Sequence, residues 1–277
     1  MKKNNIFKKI LTLYIPLLIL LVFILFPFYW TFITSIKVES ELYGQATYWP
    51  KSVTFDAYHK LFTTTINFFD SMKNSFIVAT ETTVVSLFVS TLAAYAFSRY
   101  KFKGRAPLMG LFLCNNMFPT VLLLLPLYAI MRKLGLLYTH ISLVLSYTTF
   151  TIPFSIWLLN GFINDLPLTL EEAAMIDGCS RGKAFMKIII PILGPCLVST
   201  GVYIFMNSWN EYTFAMMFTN SKTRTIPVAL KNMIGQLGVQ WDLLTAGGIL
   251  TIIPVCIMFF FAQKRLVSGL TAGAVKG

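Results

Sequence analysis

An all-α polytopic membrane fold is what this sequence predicts, and three observations predict it. Of 277 residues, 56% are hydrophobic and 12% charged, too little polar surface to cover a soluble domain. Six segments approach or exceed the roughly 20 apolar residues that a membrane helix needs, near 12–36, 74–97, 107–130, 141–163, 188–208 and 243–263. Between the fourth and fifth lies a polar island, Leu168 to Pro191, whose residue order predicts a helical hairpin.

The first apolar run follows Lys2, Lys3, Lys8 and Lys9; it is longer than the core of a signal peptide and has no small-residue cleavage pattern, so it is expected to stay as a span. Pro16, Pro27, Pro119, Pro126, Pro153, Pro195 and Pro254 fall inside the runs. Membrane helices accept them because neighbouring groups and water satisfy the freed carbonyls. Orientation follows from the basic residues. The N-terminal lysines, the Arg99–Arg105 cluster, Arg181, Lys183 and Lys187, and Lys264, Arg265 and Lys276 sit in short connections on one side, which is therefore cytoplasmic. The other side has two long loops, 37–73 and 209–242, and a short turn from Arg132 to His140 around Gly135. An even number of spans puts both termini in the cytoplasm: residues 1–11 precede span one, and 264–277 follow a core of 74–263. Tyr43, Tyr48, Trp49, Trp209, Tyr212 and Trp241 are expected as interfacial anchors, and His59 and His140 as isolated, solvated side chains.

The island can be read residue by residue. Thr169 is placed to cap a helix starting at Leu170, with Glu172 reaching back to complete a capping box. Gly178 suits the left-handed position that ends a short helix, and Ser180 can cap a second one running through Arg181, Lys183 and Lys187 toward Pro191. Ala173, Ala174 and Ile176 on the first helix, and Phe185, Ile188 and Ile189 on the second, form small apolar patches at helical spacing. A compact hairpin of this kind suits docking in a partner's groove; the plainer reading is a solvated loop.

Glu172-Ala173-Ala174, then Gly178, Ile188, Ile190 and Pro191, resembles the EAA loop of the membrane subunits of ABC importers, with Ile190 where that pattern has Leu. Ala94 to Arg99, Trp209-Asn210-Glu211, Ile226-Pro227-Val228 and the C-terminal stretch from Gln263 to Gly277 are similar to carbohydrate importer permeases of the maltose type. The resemblance implies a type I importer permease in the plasma membrane of a bacterium, with segment 164–191 as its coupling loop. It implies a second, distinct permease, two copies of an ATPase and an extracytoplasmic sugar-binding protein as partners. Thr169, Glu171, Glu172, Ala173, Ala174, Asp177, Gly178, Arg181, Phe185 and Pro191 would couple to the ATPase, and Gly269, Leu270, Thr271, Ala272 and Gly273 would reach into its dimer. Trp209, Asn210, Glu211, Lys222 and Arg224 would meet the binding protein. Glycerol-phosphate or a polyol is the alternative cargo, and a stand-alone channel or secondary transporter the alternative class.

No catalytic constellation is present, so the chain is expected not to be an enzyme. Gly178, Gly182, Lys183 and Ala184 echo a phosphate-binding loop, but the glycines are one residue too close and Ala184 stands where Ser or Thr would hold Mg. ATP and Mg therefore belong to the partner; no cofactor, and no metal, is expected here. The four cysteines have no paired spacing, and the net charge of +12 sits beside apolar spans, which argues against nucleic acid. Glu81, Asn115, Asn116 and Asn207 fall inside spans, where polar groups are costly. Either they line a pathway for sugar hydroxyls alongside Tyr95, Tyr128 and Tyr203, or they tie helices together.

Overall fold

The computed structural model describes residues 9–63, 67–235 and 238–274, and omits the side chains of Asn116 and residues 264–274. Four helices are long and apolar enough to cross a membrane, or up to six if each of two bent pairs is one span. The chain divides into two compact units, residues 1–69 with 229–253 and residues 70–228 with 254–277.

In the first unit, α1 (Ile15–Ser35) continues from a wider turn, Ile10–Tyr14. Its aliphatic and aromatic residues from Ile10 to Phe28 are exposed, as on a helix that meets lipid. Segment 37–73, expected as a loop, carries two short helices, α2 (Glu39–Leu42) and α3 (Asp56–Thr63), before the next long helix begins at Phe68. Lys37 organises the turn between them. It pairs with Val53 in an antiparallel bridge, donates through Nζ to the Thr47 carbonyl at 2.5 Å, and lies 5.3 Å from the Trp30 ring.

The second unit is built on α4 (Phe68–Arg99), which begins six residues before the predicted span. The polar residues read as loop are the reason: Ser71 and Asn74 are buried, and Asn74 Nδ2 donates to the carbonyls of Lys222 and Arg224 at 2.9 and 3.0 Å. Ser71, Ser75, Thr82, Ser86 and Ser90 form a buried stripe of small residues, which lets helix backbones approach closely. Against it runs α7, at His140–Asp165. Contacts between Asn74 and His140 (3.0 Å), Ser86 and Thr151 (2.8 Å), and Ser98 and Asn164 (2.7 Å) make the two helices parallel. His140 is thus held by Asn74 rather than simply solvated.

The predicted third and fifth spans are not straight rods. Between α4 and α7 in sequence, the third is split into α5 (Arg105–Met117) and α6 (Leu124–Lys133), joined by the tight turn Thr120–Leu123 and bent by 97°. Pro119 forces extended backbone on the residue before it, and Phe118 has ψ of 131°. The fifth bends by 73° between Ile192 and Gly194, where Pro195 has no N–H to continue the ladder. Segment 210–240, within the stretch expected as an outer loop, holds α12 (Thr213–Phe218), α13 (Ile226–Lys231) and a two-stranded hairpin, Ile234–Gly235 with Gly238–Val239; among the described residues this ribbon and the Lys37–Val53 bridge are the β structure. The last helix runs from Trp241 to Ala274 through Pro254. Gly269, Leu270, Thr271, Ala272 and Gly273 lie on its backbone, with side chains outside the described residues.

Candidate functional site

The polar island folds as a helical hairpin. Its first helix is Thr169–Ile176, followed by a turn at Gly178 with φ of +86° and a second helix from Arg181 to Ala184. At the turn, Cys179 N–H reaches the Ala174 carbonyl at 3.0 Å and Gly178 N–H the Met175 carbonyl at 3.1 Å, the paired bonds of a Schellman motif. Ser180 Oγ accepts from Lys183 N–H at 3.4 Å, as expected of the second cap. The first cap is different. Helix backbone already begins at Leu168, which has αR geometry, and Thr169 makes no capping bond, so the capping box with Glu172 does not form. Pro167 accounts for this: its carbonyl accepts from Leu170 N–H at 3.3 Å and starts the turn one residue early. After Ala184 the chain widens into a π-helical turn, Phe185–Ile189, before Ile190–Ile192.

The two adjacent glutamates face opposite ways. Glu171 is 2% exposed. One of its oxygens receives Arg99 Nε at 2.5 Å and the other the Tyr95 hydroxyl at 2.6 Å, both from the end of α4. Arg99 also donates to the Leu166 carbonyl at 3.1 Å, tying α4 to the residue just ahead of the hairpin. Phe185 is buried with its ring 4.5 Å from Tyr95, in a cluster with Leu159, Ile163 and Ile189. Glu171, Ala174 and Phe185, all three expected to couple to the ATPase, are instead buried on the hairpin's inner face. Burial needs a counter-charge, and Arg99 supplies it in direct contact. The outer face carries Thr169, Glu172, Ala173, Asp177, Gly178 and Arg181, all exposed, with Pro191 exposed farther along. Ile176, between them, is 86% exposed. Arg181 lies over the Tyr100 ring at 5.4 Å.

The sequence reading missed the Arg99–Glu171–Tyr95 triad. A signal was available: Tyr95 and Arg99 are four residues apart, on one face at the end of a span, and a second acid stands beside Glu172.

Beside the opposite end of α7, a cavity of about 260 Å³ is lined by Thr120, Tyr147, Phe150, Thr151, Tyr203, Asn207, Ser208, Glu211 and Phe214. Two expected pathway residues, Tyr203 and Asn207, meet there on the helix Gly194–Trp209, which we label α11 after the short pieces Arg181–Ala184 and Ile190–Ile192, α9 and α10, and the first hairpin helix, α8. The Tyr203 ring rests 4.6 Å from Phe154, and Asn207 Nδ2 donates back to the Tyr203 carbonyl at 2.8 Å. Asn115 does not join them; its amide ties to the Thr149 carbonyl at 3.2 Å, an interhelical role. Nor do Tyr95 and Tyr128, the latter packing on Phe218 at 5.9 Å. Asn116 has a side chain outside the described residues. Glu81 is exposed on α4, with no partner among the described residues.

The residues expected to meet an extracytoplasmic protein separate in the same way. Trp209 is 1% exposed and stacks on Phe205 at 5.5 Å, so it is core rather than contact surface or interfacial anchor. Glu211 caps α12, accepting from Phe214 N–H at 2.9 Å and Ala215 N–H at 3.1 Å, and faces the cavity. Asn210 and Lys222 are exposed and Arg224 is half-buried. No group of three or more potential metal ligands occurs among the described residues.

Residues 86–272 match the family model described as binding-protein-dependent transport system inner membrane component. The chain is 37% identical over 277 residues to the trehalose/maltose transport system permease of Thermococcus litoralis, covering 99% of both chains. It is 39% identical over 262 residues to the sulfoquinovosyl glycerol transport system permease of Agrobacterium fabrum, covering 94% of this chain and 91% of that one. Its fold is similar to a crystal structure of a bacterial ABC transporter involved in import of the acidic polysaccharide alginate, with a TM-score of 0.79, 24% identity, and coverage of 96% and 98%.

Proposed function

The chain belongs to the binding-protein-dependent transport system inner membrane component family, and on that premise we propose that it is one of two permease subunits of an ATP-driven sugar importer. The observation that carries this reading is the two-faced hairpin. Its inner face is fixed to α4 by Glu171 and Arg99, while its outer face offers Glu172, Ala173, Ile176, Asp177 and Arg181 with Gly178 at the turn. A segment held rigidly at one side and open at the other can pass a displacement from a docked ATPase into the helices.

Six spans, with both termini and the hairpin cytoplasmic, is the topology that fits. The parallel run of α4 and α7 supports it, because the bent pair α5–α6 then has to carry the chain back across the bilayer between them. The helices that would carry the spans are 10–35, 68–99, 105–133, 140–165, the part of 181–209 beyond the hairpin's Ala184, and 241–263. In the coupling step, ATP with Mg closes two ATPase subunits. The hairpin moves with the subunit it sits in, and the helices rotate to switch access from outside to inside. The tail residues Gly269 to Gly273 would extend toward the same ATPase pair. Lys222, Arg224 and Asn210 face the extracytoplasmic binding protein, and Glu81 faces the second permease or the water-filled path, because a carboxylate in lipid would cost several kcal/mol. Trehalose, maltose and sulfoquinovosyl glycerol, named for the two relatives, make a small glycoside, a sugar joined to a second sugar or to glycerol, the cargo of choice. A phosphorylated cargo is disfavoured by the cavity, whose lining has no lysine or arginine.

Affinity purification of the tagged chain from its native membrane, with ATPase activity assayed on the complex, tests the reading. A second permease and an ATPase are expected to co-purify. A chain that emerges alone after mild crosslinking, with no ATPase, would return it to a channel or secondary transporter.

A further inference from the structure

The connection from α4 to α5 alternates aromatic and basic residues: Tyr100, Lys101, Phe102, Lys103, then Gly104 and Arg105. Phe102 fixes the loop, its ring edge-on to Phe97 at 5.4 Å, and Gly104, with φ of +89°, turns the chain into α5. Lys101 and Lys103 are exposed, Arg105 is half-buried, and none of the three forms an ion pair among the described residues. Beside them an open groove of about 500 Å³ is lined by Phe102, Arg105, Ala106, Pro107 and Met109, with Asn160 of α7 on the far wall. Its lining holds one cation and no carboxylate.

The groove continues down α5. Ala106, Met109, Leu113 and Met117 share one face at helical spacing, and Leu113 and Met117 are 39% and 84% exposed. From Ala106 to Met117 the helix rises about 16 Å, close to half of the roughly 30 Å hydrocarbon core of a bilayer. That is the depth of one leaflet. An apolar channel of this depth, with a guanidinium at its mouth and two ammonium groups beside it, matches a phospholipid whose headgroup is anionic. The acyl chain lies along α5, and the planar fork of Arg105 takes two phosphate oxygens. A zwitterionic lipid would set its own ammonium against three cations, and free phosphate would leave the apolar wall uncovered. Resting on the cytoplasmic placement of this loop in the topology above, we propose that the groove is a binding site for one anionic phospholipid of the cytoplasmic leaflet, its phosphate on Arg105 and its acyl chain along Ala106, Met109 and Leu113.

The test is native mass spectrometry of the delipidated complex, isolated with its ATPase and titrated with phosphatidylglycerol or phosphatidylcholine of equal chain length. Phosphatidylglycerol is expected to bind at least about fivefold tighter. Arg105→Gln should weaken it about tenfold, the loss of one charge-assisted contact. Ala106→Trp, which fills the groove and keeps every charge, should weaken both lipids. Lys133→Gln, the same loss of charge at the far end of α6, should change neither. Phosphatidylglycerol carrying a diazirine in its acyl chain should label residues 102–117. Equal affinity for the two lipids would overturn the assignment, as would a phosphatidylglycerol preference that survives Arg105→Gln. Displacement of the lipid by inorganic phosphate alone would overturn it in favour of a soluble-anion site. Label confined to the second permease would overturn it in favour of a groove covered by that subunit. Because the starting complex contains the ATPase, each of these results leaves the importer reading standing. A chain isolated without an ATPase removes that reading alone, and the same titration then decides the lipid site on the chain.

Discussion

Replacing Arg99 with leucine removes the positive partner of Glu171 and leaves a carboxylate enclosed by the Tyr95 ring, the α4 terminus and the hairpin. The two side chains are 9% and 3% exposed, so solvent can do little to compensate. Breaking a buried ion pair from one side typically costs about 3–5 kcal/mol, because the orphaned charge keeps its desolvation penalty. The Tyr95 hydroxyl at 2.6 Å remains as a donor and puts the expectation toward the lower end, about 3 kcal/mol. For a chain of this size that corresponds to a thermal shift on the order of 10 °C. The assay is thermal unfolding of the solubilised complex, run on Arg99→Leu, Glu171→Leu and the double substitution. The double variant should be more stable than the sum of the singles predicts, by at least 1 kcal/mol or so, since it removes both charges together. Additive effects, or Arg99→Leu within a degree of the parent, would refute the claim that this pair holds the hairpin to α4. The same variants should lower uptake per ATP hydrolysed, since a hairpin detached from α4 moves without moving the helices.

Gly178→Val places a β-branched residue at φ of +86°, where no neighbour obstructs a Cβ but the backbone itself resists; strain of about 1–3 kcal/mol should leave ATPase activity and depress sugar uptake in proteoliposomes. Gly247→Ala would set its Cβ 2.8 Å from Leu230 Cδ2 and 3.1 Å from Phe68 Cε2, so overpacking of about 1–3 kcal/mol is expected as a lowered melting point, whereas Gly248→Ala, 4.0 Å from Thr31, should be tolerated. The Glu41 carboxyl is held below the ordinary carboxylate range mainly by the Thr47 hydroxyl, helped by the Lys51 amide and against some burial. Its folded pKa is lowered, so its contribution is full above the unfolded value and fades as pH falls through the folded one. Proteolysis of segment 39–51 should accelerate in acid below pH 4.5 and lose that dependence in Glu41→Gln.

Much of the hairpin could be read along the chain because caps and turns are local. Gly178 needs positive φ whatever surrounds it, and Ser180 finds its amide three residues away. The Thr169 cap failed for a local reason too: Pro167 starts the turn earlier, and one residue of drift removes a capping box. The long apolar helices were equally legible, since length and apolarity are properties of a segment, although at Pro119 and Pro195 two of the predicted segments are bent pairs.

What the sequence by itself determined is the helical class, the order of the long apolar helices, the hairpin and its turn. Those rest on contacts within a few residues and on the solvent each segment prefers. The tertiary structure alone decided which of two adjacent glutamates is buried, because Arg99 and Glu171 are 72 positions apart and only the packing of α4 against the hairpin brings them to 2.5 Å. It also separated Trp209 from Glu211, sending one into the core and the other to the cavity wall, and it gathered Tyr147, Tyr203 and Glu211 from elements far apart in the chain. Charge and aromaticity are visible in a sequence, but the direction a side chain faces on a helix with little amphipathic contrast is set by its neighbours in space.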